Sequence, residues 1–309
     1  MPIRGLTDAT RLPRTGKIHL GTKQKAQGGR ECPKASSYFI VRSDDTTPAA
    51  AAEAFAVIYG EEPSELDIVF PSDDPLQWAD ANYKSWSSWG VRCRGDGETA
   101  LAKWDATGQG PRPEGVESGT WANPNTKEGA WAYLQIPCGG EDCPMQRVSP
   151  PKCKMVMNLQ FLLPDVAGVG VWQIDTSSKH SVLNVLNNVR LIQALTGGRI
   201  RGLPLRLRLV PKQVTPDGGK TKTVYVLDIY ASLTLTELMR RVAALPERGL
   251  IQLPAPDDAI PDDLFPEVDV DEETGEIIEA EATPQEETAT EPAPPSDDAG
   301  WVPREMAEA

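Results

Sequence analysis

The chain has 309 residues, two histidines, five cysteines and a formal net charge of −14. That length can bury a full core without covalent staples, the opening MPIRGLTDATRLPRTGKIHLG has no apolar run of signal-peptide length, and no stretch of about 18 apolar residues could span a membrane. A secreted disulfide scaffold and a membrane protein are thereby excluded, and a soluble cytoplasmic protein with reduced thiols is expected.

Residues 1–42 carry nine basic against two acidic side chains, with Arg4, Arg11, Arg14, Lys17, Lys23 and Lys25 in an amino-terminal arm. PAAAAEAFAVIYG predicts a helix over 48–60 that ends at Gly60, and ELDIVFP (65–71) a short strand. WADANYKSWSSWGVRCRGDGETALAKWD shows no clear period, the Gly/Pro-rich stretch around 107–126 reads as a surface loop, and strand character returns at GAWAYLQIPC. VGVWQIDT (169–176) predicts a strand. SSKHSVLNVLNNVRLIQALTGG (177–198) predicts a helix capped by Ser177 or Ser178, with Val182, Val185, Leu186, Val189, Ile192 and Leu195 at helical spacing and Gly197-Gly198 as its stop. LPLRLRLVPKQV (203–214), the turn PDGG and KTVYVLDIYASL (222–233) form a β-hairpin whose first strand shows Arg206, Arg208 and Lys212 on one face. LTELMRRVAALPE (235–247) closes the body as a helix.

From about residue 250 the composition changes. Residues 251–309 hold nineteen acidic side chains and one basic one, Arg304, and are rich in Pro and Thr. Such a segment cannot bury enough apolar area to offset its ordering entropy and is expected to be disordered. Two apolar islands, DDLFPEVDV (262–270) with Leu264 and Phe265, and AGWVP (299–303) with Trp301, are candidate docking points within it. The division is a body over 1–248, with a cysteine-rich insertion at about 90–155, and an acidic tail over 249–309. A basic frame with an acidic tail suits a nucleic-acid or acidic partner, although a solvated surface plus a solubility tail has the same balance.

The chemistry-bearing residues are the cysteines. Cys138 and Cys143 flank Gly139-Gly140 in a turn that can aim two thiolates at one ion, Cys153 follows within loop reach, and Cys93 in VRCRGDGE is the best fourth ligand. Four thiolates satisfy tetrahedral Zn2+ in a closed structural site. The pairing is C-x4-C rather than the commoner C-x2-C, Cys32 is a rival fourth ligand, and scattered core thiols are the plain alternative. His19 and His180 lie beside none of these cysteines, and there is no Walker loop, GxGxxG, GxSxG or HExxH. The sequence does not read as an enzyme. Phosphate contact falls to Arg11, Arg14 and Lys17 in the arm, and to Arg199, Arg201, Arg206, Arg208, Lys212 and Lys222 from the helix end through the hairpin. Trp78, Tyr83, Trp86, Trp89, Trp104, Trp121 and Trp131 crowd one third of the chain, as buried structural rings or as a base-stacking platform.

The blocks GEEPSELDIVFP, VRCRGDGE, CGGEDCP with PKCK, FLLPDVAGVGVWQIDTSSKHSVLNV and GRIRGLPLRLRLVPKQVTPDGGKTKTVYVLDIY, with the opening, resemble the large recombination directionality factors that partner serine integrases in actinophages. Members of that family are often catalogued as hydrolases or metal-binding proteins. The resemblance spans nearly all of residues 1–245 and leaves out the acidic tail. It implies an accessory protein, not an enzyme, that binds the integrase on attachment-site DNA and turns recombination toward excision. The fold expected is α+β, a sheet-rich body with a structural four-cysteine zinc knot and a disordered acidic tail. The competing expectation is a single-stranded-DNA-binding protein of phage replication.

Overall fold

The computed structural model describes residues 12–25, 31–125, 131–147, 152–214, 222–245, 253–261, 269–270 and 277–278. In chain order its elements are β1 (Arg14–Lys25), β2 (Glu31–Ile40), α1 (Ala49–Tyr59), β3 (Glu65–Ile68), α2 (Pro75–Trp78), β4 (Ala79–Ser87), β5 (Gly90–Gly95), β6 (Thr99–Asp105), β7 (Thr120–Trp121) and β8 (Trp131–Pro137). There follow α3 (Pro144–Arg147), β9 (Lys154–Phe161), β10 (Val171–Thr176), α4 (Lys179–Leu195), β11 (Leu205–Val214), β12 (Lys222–Tyr230), α5 (Leu235–Ala244), β13 (Asp269–Val270) and β14 (Ile277–Ile278). The sheet-rich α+β class is as expected.

Alternation explains how the strands stack. In the nine-stranded sheet the order is β2-β1-β10-β9-β4-β5-β6-β7, with β8 also on β6, and β1 with β10 is its one parallel pair among the described residues. Successive side chains on a strand point to opposite faces. Ile18, Ala79, Met157, Leu159, Phe161, Trp172 and Ile174 therefore share one face, and all are buried in the main apolar cluster. The smaller sheet, β12-β11-β3, supplies Leu66, Ile68, Leu205, Leu207, Leu209, Leu227 and Ile229 to the same cluster, while Phe55 of α1, Val182, Val185, Val189 and Ile192 of α4, and Leu238 and Val242 of α5 complete it.

Several elements stand where the pattern predicts them. Ser178 caps α4 by accepting from the Ser181 N–H, and the turn after the helix brings the Gly198 N–H to the Gln193 carbonyl at 2.7 Å. The helix α1 stops at Gly60, whose φ of +79° favours glycine. The hairpin β11–β12 pairs Arg206 with Tyr230 and Arg208 with Asp228, and β3 adds a third strand on its free edge.

Three findings depart from the sequence reading. The stretch without a clear period is an antiparallel meander, β4–β5–β6, and β4 also pairs with β9, so the cysteine-rich region extends the main sheet while keeping an apolar cluster of its own. The loop around 107–126 contains β7, where Trp121 packs edge-on against Trp104 at 5.3 Å between ring centroids. Residues 253–261, assigned by composition to the tail, lie on the body: Leu253 packs against the main cluster and Pro261 is buried. Among the described residues no helix is long and apolar enough to cross a membrane.

Trp78 is fully buried, stacks on Phe70 with centroids 3.6 Å apart, and donates its indole N–H to the Ser72 carbonyl at 3.0 Å. Truncation to Trp78→Ala removes that ring and leaves a cavity, so urea unfolding should show a loss of about 3–5 kcal/mol. A loss under about 1 kcal/mol would mean that the site can collapse around the missing ring.

Candidate functional site

The face of the large sheet opposite the core is polar. Lys17 on β1, Gln173 and Asp175 on β10, Asn158 and Gln160 on β9, Asp80 and Lys84 on β4 and Arg94 on β5 lie side by side through the strand register. Lys17, Lys84, Asn158, Gln160, Gln173 and Asp175 are buried, Lys84 completely. Polar groups so placed cost several kcal/mol each unless paired, and apart from the Gln160 side-chain oxygen these are paired. Lys17 Nζ lies 2.6 Å from Asp175 Oδ2. Asn158 Nδ2 donates to Asp175 Oδ1 at 2.6 Å, Gln173 Nε2 donates to the same oxygen at 2.7 Å, and Asn158 Oδ1 accepts from Lys84. Arg94 pairs with Asp80.

The remaining bonds come from residues 253–261, which cross this face as a strap. Lys17 reaches Asp257 Oδ2 at 3.1 Å, Lys84 reaches Asp258 Oδ1 at 2.6 Å, and Arg94 reaches Asp258 Oδ2 at 3.4 Å. The Gln173 side chain accepts from the Asp257 N–H and donates to the Asp257 carbonyl, both at 2.9 Å. Gln160 donates to the Pro254 carbonyl at 3.2 Å, Trp86 Nε1 to the Asp258 carbonyl at 2.8 Å, and Arg14 to the Ala255 carbonyl. The strap covers a groove floored by amides and cations. Its signal in the sequence was the alternation of MNLQF and WQID, in which Asn158, Gln160, Gln173 and Asp175 occupy every second position.

The second feature is the cysteine cluster. Cys93 on β5, Cys138 after β8, Cys143 before α3 and Cys153 before β9 all border one apolar cluster with Ala100, Ala102, Trp104, Trp121, Ile136 and Met145. The chain doubles back here, since the amides of Lys152 and Cys153 both donate to the Met145 carbonyl, at 2.9 and 3.2 Å. Gly95 permits the close approach: a Cβ there would lie 2.7 Å from Cys138 Sγ. All four thiols are free. Burial, the largest cause, pushes the Cys93 thiol up to about 11, with Cys138 and Cys143 adding to it, and burial likewise raises Cys143 and Cys153. The expected zinc knot is not present as a ligand group: among the described residues no three His, Cys, Asp or Glu side chains are arranged to hold a metal ion. The spacing identified which cysteines meet, and packing against apolar neighbours accounts for the raised values of Cys93, Cys143 and Cys153. The Cys32 side chain lies outside the described ones.

With both features in place, comparison with known proteins decides the family. A family model for Gp3-like, recombination directionality factor-like proteins matches residues 15–232. The chain belongs to that family. The match runs from the start of β1 to just past β12 and so takes in the nine- and three-stranded sheets and the cysteine cluster. No curated protein and no solved structure matches.

Within this recombination directionality factor-like body, the expected phosphate-binding residues are spread over different surroundings. Arg14 and Lys17 face the strap. Arg199 donates to the carbonyls of Val242 and Leu245, at 3.4 Å each, tying down the end of α5. Arg201 sits at the isolated bridge to Phe70. Arg206 pairs with Glu65 and, at 3.0 Å, Asp67; Arg208 pairs with Asp228 at 2.8 Å and lies over the Tyr230 ring; Lys212 Nζ is 3.1 Å from His180 Nδ1. Arg11, the Lys222 side chain, Leu264, Phe265 and Trp301 lie outside the described residues and side chains. The tryptophans divide likewise: Trp78, Trp104 and Trp121 are buried, while Trp89 and Trp131 stack at 5.3 Å beside exposed Tyr133, with Lys103 Nζ 3.8 Å over the Trp89 ring.

The groove has a pH signature. Burial lowers the Lys17 pKa, but pairing with Asp175 and Asp257 outweighs this and the net shift is upward from 10.5. A raised folded value makes the stabilisation complete below 10.5 and lost as pH rises through the folded value. The stability difference between the unsubstituted chain and Lys17→Met should therefore shrink above pH 10.5, as read from urea unfolding between about pH 9 and 12. A difference that stays constant across that range would remove Lys17 from the account.

Proposed function

We propose that this protein is an accessory factor that binds a serine integrase assembled on attachment-site DNA and turns site-specific recombination toward excision. The observation that carries the reading is the family match over 15–232, which takes in the nine- and three-stranded sheets. The factor acts by binding in the cytoplasm, with no bond made or broken by its own side chains. In physical terms it shifts a population: it favours the integrase arrangement in which the excisive pairing of sites is stable by binding that arrangement more tightly. A full reversal of a 1:99 equilibrium needs about 10⁴-fold tighter binding to the favoured arrangement, about 5.5 kcal/mol. Surface for a protein partner is available in the cleft between α4, β12 and α5, where Leu191, Leu195 and Leu235 are exposed.

With the co-encoded integrase, plasmids carrying paired attL and attR sites should recombine only when this protein is added, and the integrating reaction of attP with attB should fall. Unchanged products in both directions with that integrase would reject the reading.

The second reading, a single-stranded-DNA-binding protein, is supported by exposed Tyr133 beside the half-buried Trp89 and Trp131 rings, with the buried Lys103 ammonium over Trp89, since rings that reach the surface suit stacked bases. Salt-dependent binding of labelled single strands, lost on Tyr133→Ala, separates it from the first.

A structural Zn2+ in the Cys93, Cys138, Cys143 and Cys153 cluster belongs to this proposal. Its support is the gathering of four soft donors in one mostly buried place, the chemistry of a closed site. Elemental analysis of protein purified without chelator should give about one zinc per chain, absent from Cys143→Ser, whose melting temperature should fall. A metal-free protein of equal stability would leave the cluster as plain core.

A further inference from the structure

We propose that the polar groove on the large sheet is a recognition site for an extended acidic peptide with adjacent aspartates, and that residues 254–258 are its resident, exchangeable occupant. The inference goes beyond the recombination reading and does not depend on it. It rests on how the strap is held.

The groove reads main chain. Gln173 satisfies both the N–H and the C=O of Asp257, the pairing that one strand offers another. Asn158 donates to the same carbonyl at 3.3 Å, and Gln160, Arg14 and Trp86 take the carbonyls of Pro254, Ala255 and Asp258. These contacts ignore side-chain identity. The specific contacts are the ion pairs from Lys17 to Asp257 and from Lys84 and Arg94 to Asp258. Two neighbouring carboxylates are thus selected on a peptide whose backbone is already held, which is the logic of an extended ligand laid on strands.

Charge points the same way. The groove contains four cations, Arg14, Lys17, Lys84 and Arg94, against two carboxylates of its own, Asp80 and Asp175. Without the strap two positive charges are left over, and Asp257 and Asp258 match them. A nucleic acid fits less well. A phosphodiester has no N–H for the Gln173 carbonyl oxygen, and its charge would lie against Asp80 and Asp175.

The strap is anchored mainly by polar bonds, each of which contributes little net free energy because water or a like peptide can replace it. Its advantage is intramolecular, an effective concentration of about millimolar. A partner segment of the same chemistry must overcome that advantage, so the strap sets a threshold for access to the groove.

The test uses the full chain and the synthetic nonapeptide LPAPDDAIP. Fluorescein-labelled peptide should bind D257N/D258N about tenfold or more tighter than the unsubstituted protein, because the resident segment has lost its charges. Adding Arg94→Gln, a partly exposed position, should undo about tenfold of that gain. Independently of any variant, unlabelled peptide at about millimolar concentration should shift the Asp257 amide signal of the ¹⁵N-labelled unsubstituted chain. The proposal fails if the folded D257N/D258N protein takes up no peptide or binds it no better than the unsubstituted chain. It fails equally if the Asp257 signal does not move, or if that variant binds a single-stranded oligonucleotide in place of the peptide.

Discussion

The large sheet has two faces with opposite requirements, and the rest of the molecule is arranged around that. One face is apolar and is covered by the small sheet, α1 and α4. The other carries Lys17, Lys84, Asn158, Gln160, Gln173 and Asp175 in a buried layer. Buried amides and charges are tolerated only when every partner is in place, and strands alone cannot supply all of them. A segment from beyond the last helix adds carbonyls, one N–H and two carboxylates, leaving the Gln160 side-chain oxygen, among the described residues, as the one amide atom of this layer without a partner. Acidic residues that composition assigns to a solvated tail are, at this point, part of the body.

The cysteine cluster obeys a different constraint. It sits where β5, β6 and β8 meet the loop that leads into β9, and a second small core forms around it. An ion pair from Lys179 at the start of α4 to Glu141 links this region back to the main body. Burial raises the Cys93, Cys143 and Cys153 thiols, while a bound cation would act the other way by stabilising thiolates. Spacing alone shows that these four residues can meet, and it does not distinguish a core from a ligand set.

Both the cationic stripe and the aromatic crowding were legible as composition and less so as function. Arg206 and Arg208 do alternate outward from Leu205, Leu207 and Leu209, but Glu65, Asp67 and Asp228 on neighbouring strands lie opposite them. Those acids are distant in sequence. Trp78 and Trp104 fill cores, whereas Trp89 and Trp131 stack half-buried beside exposed Tyr133, a division that depends on which strand pairs with which.

By itself the sequence determined the elements with local causes. The cap at Ser178, the stop at Gly60, the pairing of β11 with β12 and the helical spacing in α4 are set by neighbours close in sequence and form where predicted, while the PDGG turn lies outside the described residues. It also carried the family, since blocks along most of the chain have to recur together. Tertiary structure alone decided the β4–β5–β6 meander, whose mixed strands become regular only once paired, and the burial of Lys84. It alone decided the fate of Asp257 and Asp258, because the groove that holds them is assembled from five strands whose residues span positions 14 to 175. A carboxylate's place, in solvent or in a groove, is fixed by the cations that reach it, and no local pattern records those.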